Sequence, residues 1–293
     1  MNKIKLGNKI IDENSKPFFI AEIGINHNGS LELAKQMIDM AAMLGADAVK
    51  FQKKNPDLCV PEKKKNMPKE TPWGDTTYVE YKKMLEFGEK EFTEIERYCR
   101  EKGIMWGASV WDEESFDFIE RFDIGFHKIP SAKLTDKGLL EKFKTSKKPV
   151  ILSVGASDLE QTRKAVNLLE DTNELAILHC NSAYPAKDEE LNLKVIETLR
   201  KEFPNKIIGY SGHEEGITAS VIAATLGAKI IERHITLDRA MWGTDQAASV
   251  EFSGLRRLLR DLHKVDVWLG DGEKTVYESE KKMMEKLRNK DTL

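Results

Sequence analysis

The chain predicts an α/β fold, a (β/α)8 barrel of the TIM type preceded by an N-terminal β-hairpin, and three observations carry that prediction. Eight short apolar runs rich in Ile, Val and Phe recur along the chain, and longer amphipathic stretches separate them. The runs have no obvious polar alternation, as expected of parallel strands covered on both faces. The length of 293 residues could hold two domains at a prior of roughly 150 residues each, yet about 250 residues is the ordinary size of one such barrel. Eight β-then-α units with right-handed crossovers close more simply into a barrel than into an open sheet.

Residues 1–16 read as a hairpin capping the barrel, because Ile4 and Leu6 alternate with polar neighbours, Gly7-Asn8 is a turn pair and Ile10-Ile11 follow. Residues 17–293 form the barrel, with strands expected at 18–24, 47–52, 104–110, 124–130, 148–154, 174–181, 206–211 and 229–235. A helix over 31–44 opens on Ser30 as N-cap, with Leu33, Met37, Met40, Ala41 and Leu44 on its apolar face. Further helices are expected at 91–102, 112–121, 158–169, 189–202, 216–226 and 254–269. Gly45, Gly103, Gly155 and Gly227 fall where the chain must reverse. Residues 53–77 break the rhythm. This long loop holds four prolines and the run Lys63-Lys64-Lys65, and it reads equally as a solvated insertion or as a lid.

Composition narrows the function. Forty-six basic against 49 acidic residues give a net charge of −3, and a charged fraction of 32% against a typical value of about 25% suits helices with solvated outer faces. Disordered, collagen-like and disulfide-scaffold classes are excluded, and near-neutral charge argues against nucleic acid as a partner. The longest apolar run near the N-terminus, Phe18 to Ala21, predicts neither a signal peptide nor a membrane span. The expected compartment is therefore cytoplasmic, consistent with three widely spaced cysteines, Cys59, Cys99 and Cys180, that read as small apolar residues.

In such a barrel the chemistry lies at the C-terminal ends of the strands. There the sequence places Glu22, Lys50, Gln52, Ser109, Lys128, Ser131, Ser153, Asn181, Ser182, Tyr184, Ser211, His213 and His234. A lysine within a strand is ordinarily a snorkelling surface residue. Two of them at strand ends, accompanied by Ser131 and Ser153, suit a phosphate or carboxylate held by ammonium groups and hydroxyl donors. His213 and His234, on adjacent strands, could share one metal, with Glu22 or water completing a shell that leaves positions open. Asp245 follows the last strand as an acid–base or substrate-orienting carboxylate. His127 and His179 look like core histidines, His27 and His263 have no evident partner, and Asn26-His27-Asn28-Gly29-Ser30 is either an anion nest or simply a helix start.

The motifs Ile20-Ala21-Glu22-Ile23-Gly24, Asn26-His27-Asn28-Gly29, Val49-Lys50-Phe51-Gln52, Lys128-Ile129-Pro130-Ser131, Ile151-Leu152-Ser153-Val154-Gly155, Leu178-His179-Cys180 with Ala183-Tyr184-Pro185, Gly209-Tyr210-Ser211-Gly212-His213 and Glu232-Arg233-His234 together resemble the sialic acid synthase family. The resemblance runs from about residue 17 to Glu280. It implies condensation of phosphoenolpyruvate with an aldose, N-acetylmannosamine or a related acylamino sugar, to give a 2-keto-3-deoxy sugar acid and phosphate. By the same resemblance Lys50, Lys128, Ser109, Ser131, Ser153 and Ser211 would hold phosphoenolpyruvate. His213 and His234 would bind a divalent metal, manganese before magnesium or cobalt. Glu22 would act at the reacting centre, while Gln52, Tyr184 and Asp245 would hold the sugar, and a homodimer is implied.

Three departures bear on the substrate. The family's Ser-Thr-Pro-Phe-Asp stands here as Ala108-Ser109-Val110-Trp111-Asp112, and its Thr-Asn pair as Asn181-Ser182, which shortens the sugar contact. The family's C-terminal antifreeze-like domain, which supplies an arginine to the sugar, is absent from this sequence, so the acyl group is expected to be read differently. Two alternatives accompany the leading reading: a related synthase using another, phosphorylated or unphosphorylated, aldose, and a non-catalytic barrel that binds sugar or metal.

Overall fold

Eight parallel strands close on one another in chain order in this computed structural model, which describes residues 2–172 and 174–288. They are β1 (Phe18–Gly24), β2 (Ala48–Lys53), β3 (Met105–Val110), β4 (His127–Ile129), β5 (Val150–Ser153), β6 (Leu175–His179), β7 (Ile207–Gly212) and β8 (Ile230–His234). Each falls within a residue or two of a predicted run, apart from β4, which is shorter. The last residues of the expected barrel segment, 289–293, lie outside the described part.

The helix after each strand is α1 (Leu31–Leu44), α2 (Glu89–Lys102), α3 (Glu113–Ile119), α4 (Lys137–Phe143), α5 (Leu159–Leu168), α6 (Val195–Glu202), α7 (Thr218–Thr225) and α8 (Phe252–Leu262). The start and stop of α1 follow from single residues. The Ser30 hydroxyl accepts the Leu33 N–H at 3.3 Å, and Gly45 closes the helix in the left-handed region at φ 84°, where a side chain would be strained. Helix α4 was not anticipated, because its seven residues sit between Gly-free polar turns with too few positions to show a period. The helix expected at 189–202 begins only at Val195, since Asp188–Glu190 form one 3-10 turn instead.

The two faces of the strands separate cleanly. Outward residues such as Phe19, Val49, Trp106, Leu152, Ile177 and Ile231 pack with the helices in one large core. Inward residues Phe18, Ile20, Ala48, Phe126, Ile151, Ala176, Leu178, Ile207 and Ile230 form a second core inside the barrel, and Ile4, Leu6 and Ile11 of the hairpin (Lys3–Leu6 and Lys9–Asp12) join it from the N-terminal end. Further along six of the strands the inward column turns polar: two residues on, Ile20 gives way to Glu22, Ala48 to Lys50, Phe126 to Lys128, Ile151 to Ser153 and Ile230 to Glu232, and four residues on, Ile207 gives way through Gly209 to Ser211. The barrel is thus an apolar plug below and a polar basin above, written in the period-2 spacing of a strand.

The insertion after β2 is folded. Residues Pro56–Cys59 and Glu62–Lys65 are single helical turns, Pro68–Lys69 pairs with Thr76–Thr77, and Tyr78–Met84 is a helix. Lys63 and Lys64 face solvent and Lys65 pairs with Glu62 at 2.7 Å, so the basic run that stands out in the sequence contributes nothing to the barrel mouth.

Candidate active site

A cavity of about 200 Å³ opens at the C-terminal end of the barrel, lined by Glu22, Lys50, Gln52, Ser109, Lys128, Ser131, Ser153, Ser182, Tyr184, Ser211, His213 and His234. Of the fourteen residues the sequence singles out, only Asn181 and Asp245 are absent from this wall. Asn181 turns its amide to the Glu190 carbonyl at 3.3 Å, and it serves the site through its backbone. Asp245 stands at the rim, its Oδ2 3.7 Å from His234 Nδ1.

Strand register sets the floor. Glu22 is level with Lys50 and His234, Ser109 with Lys128, and Ser211 with Glu232. Lys50 Nζ lies 2.6 Å from Glu22 Oε2 and donates to Ser109 Oγ at 2.5 Å, while Lys128 Nζ donates to Ser153 Oγ at 2.6 Å. Between the two ammonium groups stands Glu232, its Oε1 3.6 Å from each and accepting from Ser211 Oγ at 3.1 Å. Glu232 is a site residue beyond those the sequence singles out, and the strand period alone aligns it with Lys50 and Lys128 in the inward column. The two buried lysines thus share a carboxylate, a arrangement that a dianionic ligand could enter by exchanging partners.

The charge states follow from this packing. Burial raises the Glu22 carboxyl above its ordinary range despite Lys50. Burial would raise Glu232 as well, but Lys128 and Lys50 outweigh it and hold that carboxyl low and ionised. Burial lowers the Lys128 ammonium, with Glu232 opposing. Two neighbouring carboxylates therefore differ in proton affinity, the usual condition for one to exchange a proton while the other stays charged.

On the opposite wall the His213 and His234 rings are 5.5 Å apart between centroids, and Tyr184 stacks on His213 at 4.1 Å. His213 Nδ1 bonds to the Asn181 carbonyl, which can only accept, so Nε2 carries the lone pair and takes the Tyr184 hydroxyl at 2.9 Å. Burial keeps this imidazole neutral, its pKa pushed down to about 3. His234 Nδ1 is buried without a hydrogen-bond partner. A neutral imidazole with a fixed tautomer beside an orphaned imidazole nitrogen is a donor set that fits a divalent metal. Among the described residues no three His, Cys, Asp or Glu side chains gather as a complete shell, so water or substrate oxygens would supply the remaining ligands.

Other sequence readings resolve on the same coordinates. His27 is buried against Phe87, with ring centroids 3.9 Å apart, and its Nδ1 accepts the Gly29 N–H at 3.1 Å. Asn26 donates to the Ile235 carbonyl and to Ser249 Oγ, both at 2.8 Å. The run 26–30 therefore ties β1 to the segment after β8 and is a helix start, not an anion nest. All three cysteines are free, and Cys180 lies buried in the cavity wall, where burial raises its thiol.

Fold and site together define a class: a closed (β/α)8 barrel whose polar end sets two buried lysines next to a pair of imidazoles. The NeuB family model matches residues 37–274. The human N-acetylneuraminate-9-phosphate synthase is 40% identical over 273 residues, covering 92% of this chain and 76% of that protein. The N,N'-diacetyllegionaminic acid synthase of Campylobacter jejuni is 36% identical over 273 residues, covering 91% and 81%. The N-acetylneuraminic acid (sialic acid) synthetase of Leptospira borgpetersenii serovar Hardjo-bovis, solved with citrate, superposes with a TM-score of 0.86 at 34% identity over 99% of this chain and 98% of that one. The chain belongs to the NeuB family, and it is an enzyme of the sugar-acid synthase type. Among the described residues no helix is long and apolar enough to cross a membrane.

Proposed function

We propose that this enzyme condenses phosphoenolpyruvate with an acylamino aldose of the N-acetylmannosamine type, giving a sialic-acid-like 2-keto-3-deoxy sugar acid and inorganic phosphate. The observation that carries this reading is the buried pair Lys50 and Lys128, each bonded to a serine and both facing Glu232 on the floor of a cavity with one open end. A small molecule bearing both a phosphate and a carboxylate matches two fixed ammonium groups ringed by Ser109, Ser131, Ser153 and Ser211, since charge-assisted bonds in a dry site are the strong ones.

In the reaction, C3 of phosphoenolpyruvate attacks the aldehyde carbon, the carbonyl oxygen takes a proton, water adds at C2, and the resulting carbinol expels phosphate by C–O cleavage. Lys50 and Lys128 hold the phosphate and carboxylate of phosphoenolpyruvate and neutralise their negative charge. Glu22, close to Lys50 and Gln52 and raised in pKa by burial, is suited to manage the proton of the attacking water. Gln52, Tyr184 and Asp245 line the path above and would orient the sugar hydroxyls, with Ser182, bonded to Ser131 at 2.8 Å, beneath them. His213 and His234 would hold a divalent metal, manganese before magnesium or cobalt, which when bound supplies Lewis acidity at the aldehyde oxygen.

Phosphate release from phosphoenolpyruvate, measured with manganese and a panel of aldoses including N-acetylmannosamine, tests the reading. The expected result is release that depends on both an aldose and a divalent metal. Binding of phosphoenolpyruvate without turnover on any aldose would overturn it in favour of a non-catalytic barrel.

A further inference from the structure

Above the cavity a second group of cations has no role in the chemistry described so far. Lys54 follows β2 directly, Lys69 lies on the short strand Pro68–Lys69, and Lys82 on the helix Tyr78–Met84, and all three are half-buried. None of the three forms an ion pair within 4 Å among the described residues, in contrast to Lys53, which pairs with Glu86 at 3.1 Å. Instead their ammonium groups are propped on aromatic faces: Lys54 lies 4.7 Å from the Trp111 ring, Lys69 5.1 Å from Trp242 and 5.6 Å from Tyr81, and Lys82 5.2 Å from Tyr81. A cation set on an aromatic face keeps its N–H donors free for another partner.

The three belong together and to the site. Lys82 acts electrostatically on Lys54, and Lys69 on Lys82, while the carboxylate of Asp245 attracts both Lys54 and Lys82. Asp245 is the rim residue that reaches toward His234, and Lys54 donates to Gln52 Oε1 at 3.4 Å. Trp111 and Gln52 themselves line the cavity. Trp242 anchors the group to the segment after β8, its carbonyl accepting from Asn28 at 2.8 Å and its side chain bonding to Tyr81. Glu86, the other carboxylate nearby, is held by Lys53. Glu86 also attracts Lys54 and Lys82, so two carboxylates, Glu86 and Asp245, stand among four ammonium groups, Lys53, Lys54, Lys69 and Lys82, an excess of positive charge that costs free energy unless an anion completes it.

We propose that Lys54, Lys69 and Lys82 form a second anion subsite that holds the terminal phosphate of a phosphorylated aldose while its aldehyde end lies beside His213 and His234. The inference rests on the condensation proposed above and narrows its acceptor to sugar phosphates. A neutral sugar terminus gives three convergent ammonium groups nothing to neutralise, whereas a phosphate dianion accepts from all of them.

The test compares kcat/KM for N-acetylmannosamine 6-phosphate and for N-acetylmannosamine in the parent enzyme and in Lys69→Met, Lys82→Met and Lys82→Arg. The parent is expected to prefer the phosphorylated sugar by about a hundredfold, and each methionine variant to cut that ratio about tenfold, chiefly through KM, with one factor of ten for each charge-assisted contact of about 1.4 kcal/mol. Lys82→Arg is expected to keep most of the preference, which a merely structural lysine would not require. Turnover of both sugars without preference, or equal losses on both in the variants, overturns the subsite and leaves the condensation standing. No phosphate release with either sugar overturns the condensation and the subsite with it.

Discussion

Replacing Glu232 by Gln removes the carboxylate that two buried ammonium groups share while keeping its volume. Lys50 retains Glu22 at 2.6 Å, but among the described residues Lys128 has no other carboxylate within 4 Å. At 3.6 Å and an effective dielectric constant near 20, each Lys–Glu232 attraction is roughly 4–5 kcal/mol before desolvation is charged against it. The desolvation of Glu232 itself, several kcal/mol, is recovered on substitution, so the net loss falls to about 3 kcal/mol, the low end for breaking a buried pair. For a chain of this size that lowers Tm by roughly 6 °C. The same substitution takes a negative charge away from the floor on which an anionic substrate must settle, so the Kd for phosphoenolpyruvate should fall by about tenfold. Thermal melts with and without phosphoenolpyruvate, joined to calorimetric titration, read both effects. A variant that melts with the parent, or that binds phosphoenolpyruvate more weakly, would refute the view that Glu232 is a counter-charge standing in for the substrate.

Alanine at His213 or His234 should each lower metal-dependent phosphate release by at least about a hundredfold while the melting temperature moves little, and metal titration by calorimetry should lose its site. His27 is pushed down to about 3 by burial, against about 6.5 unfolded. Its folded pKa is depressed, so the stability it confers is full above pH 6.5 and drains away as the pH falls toward 3, at about 1.4 kcal/mol per pH unit. Urea denaturation at about pH 6 and 4.5 should therefore show a shallower acid loss in His27→Phe than in the parent, and parallel slopes would contradict the assignment. Gly29 has φ 76°, and a Cβ there would sit 2.3 Å from the Met84 carbonyl oxygen. Gly29→Ala should cost about 1–3 kcal/mol and expose the insertion to limited proteolysis, whereas cleavage at the parental rate would show that this contact does not hold the insertion down.

The fold was legible because strand existence depends on short stretches rich in Ile, Val and Phe, and all eight survive as barrel strands. What escaped was short or non-local. Helix α4 has too few turns to show a period, and the start of α6 shifted because Asp188–Glu190 prefer a local turn. The cavity wall was readable for a related reason: in a barrel, position along the strand and side of the strand together determine location. Lys50, Lys128, Ser153 and Ser211 occupy equivalent steps of the inward column, and Glu232 stands in the same column level with Ser211, although nothing near it in sequence marks it as a partner of the two lysines. Lys54, Lys69 and Lys82 could not be grouped from the sequence, because their meeting depends on how the insertion folds back.

The hairpin against the inner core of the barrel has a kinetic consequence. With Ile4, Leu6 and Ile11 stoppering one end, the molecule is a vessel with a single mouth, and whatever rests on the lysine floor must arrive before whatever rests beside the rim. Reactants in such a vessel load in sequence: the deeper one first, the shallower one as its cover. An aldose bound early would obstruct its own co-substrate, so excess sugar should slow the enzyme at low phosphoenolpyruvate, and the product acid must clear the neck before the spent phosphate beneath it can follow.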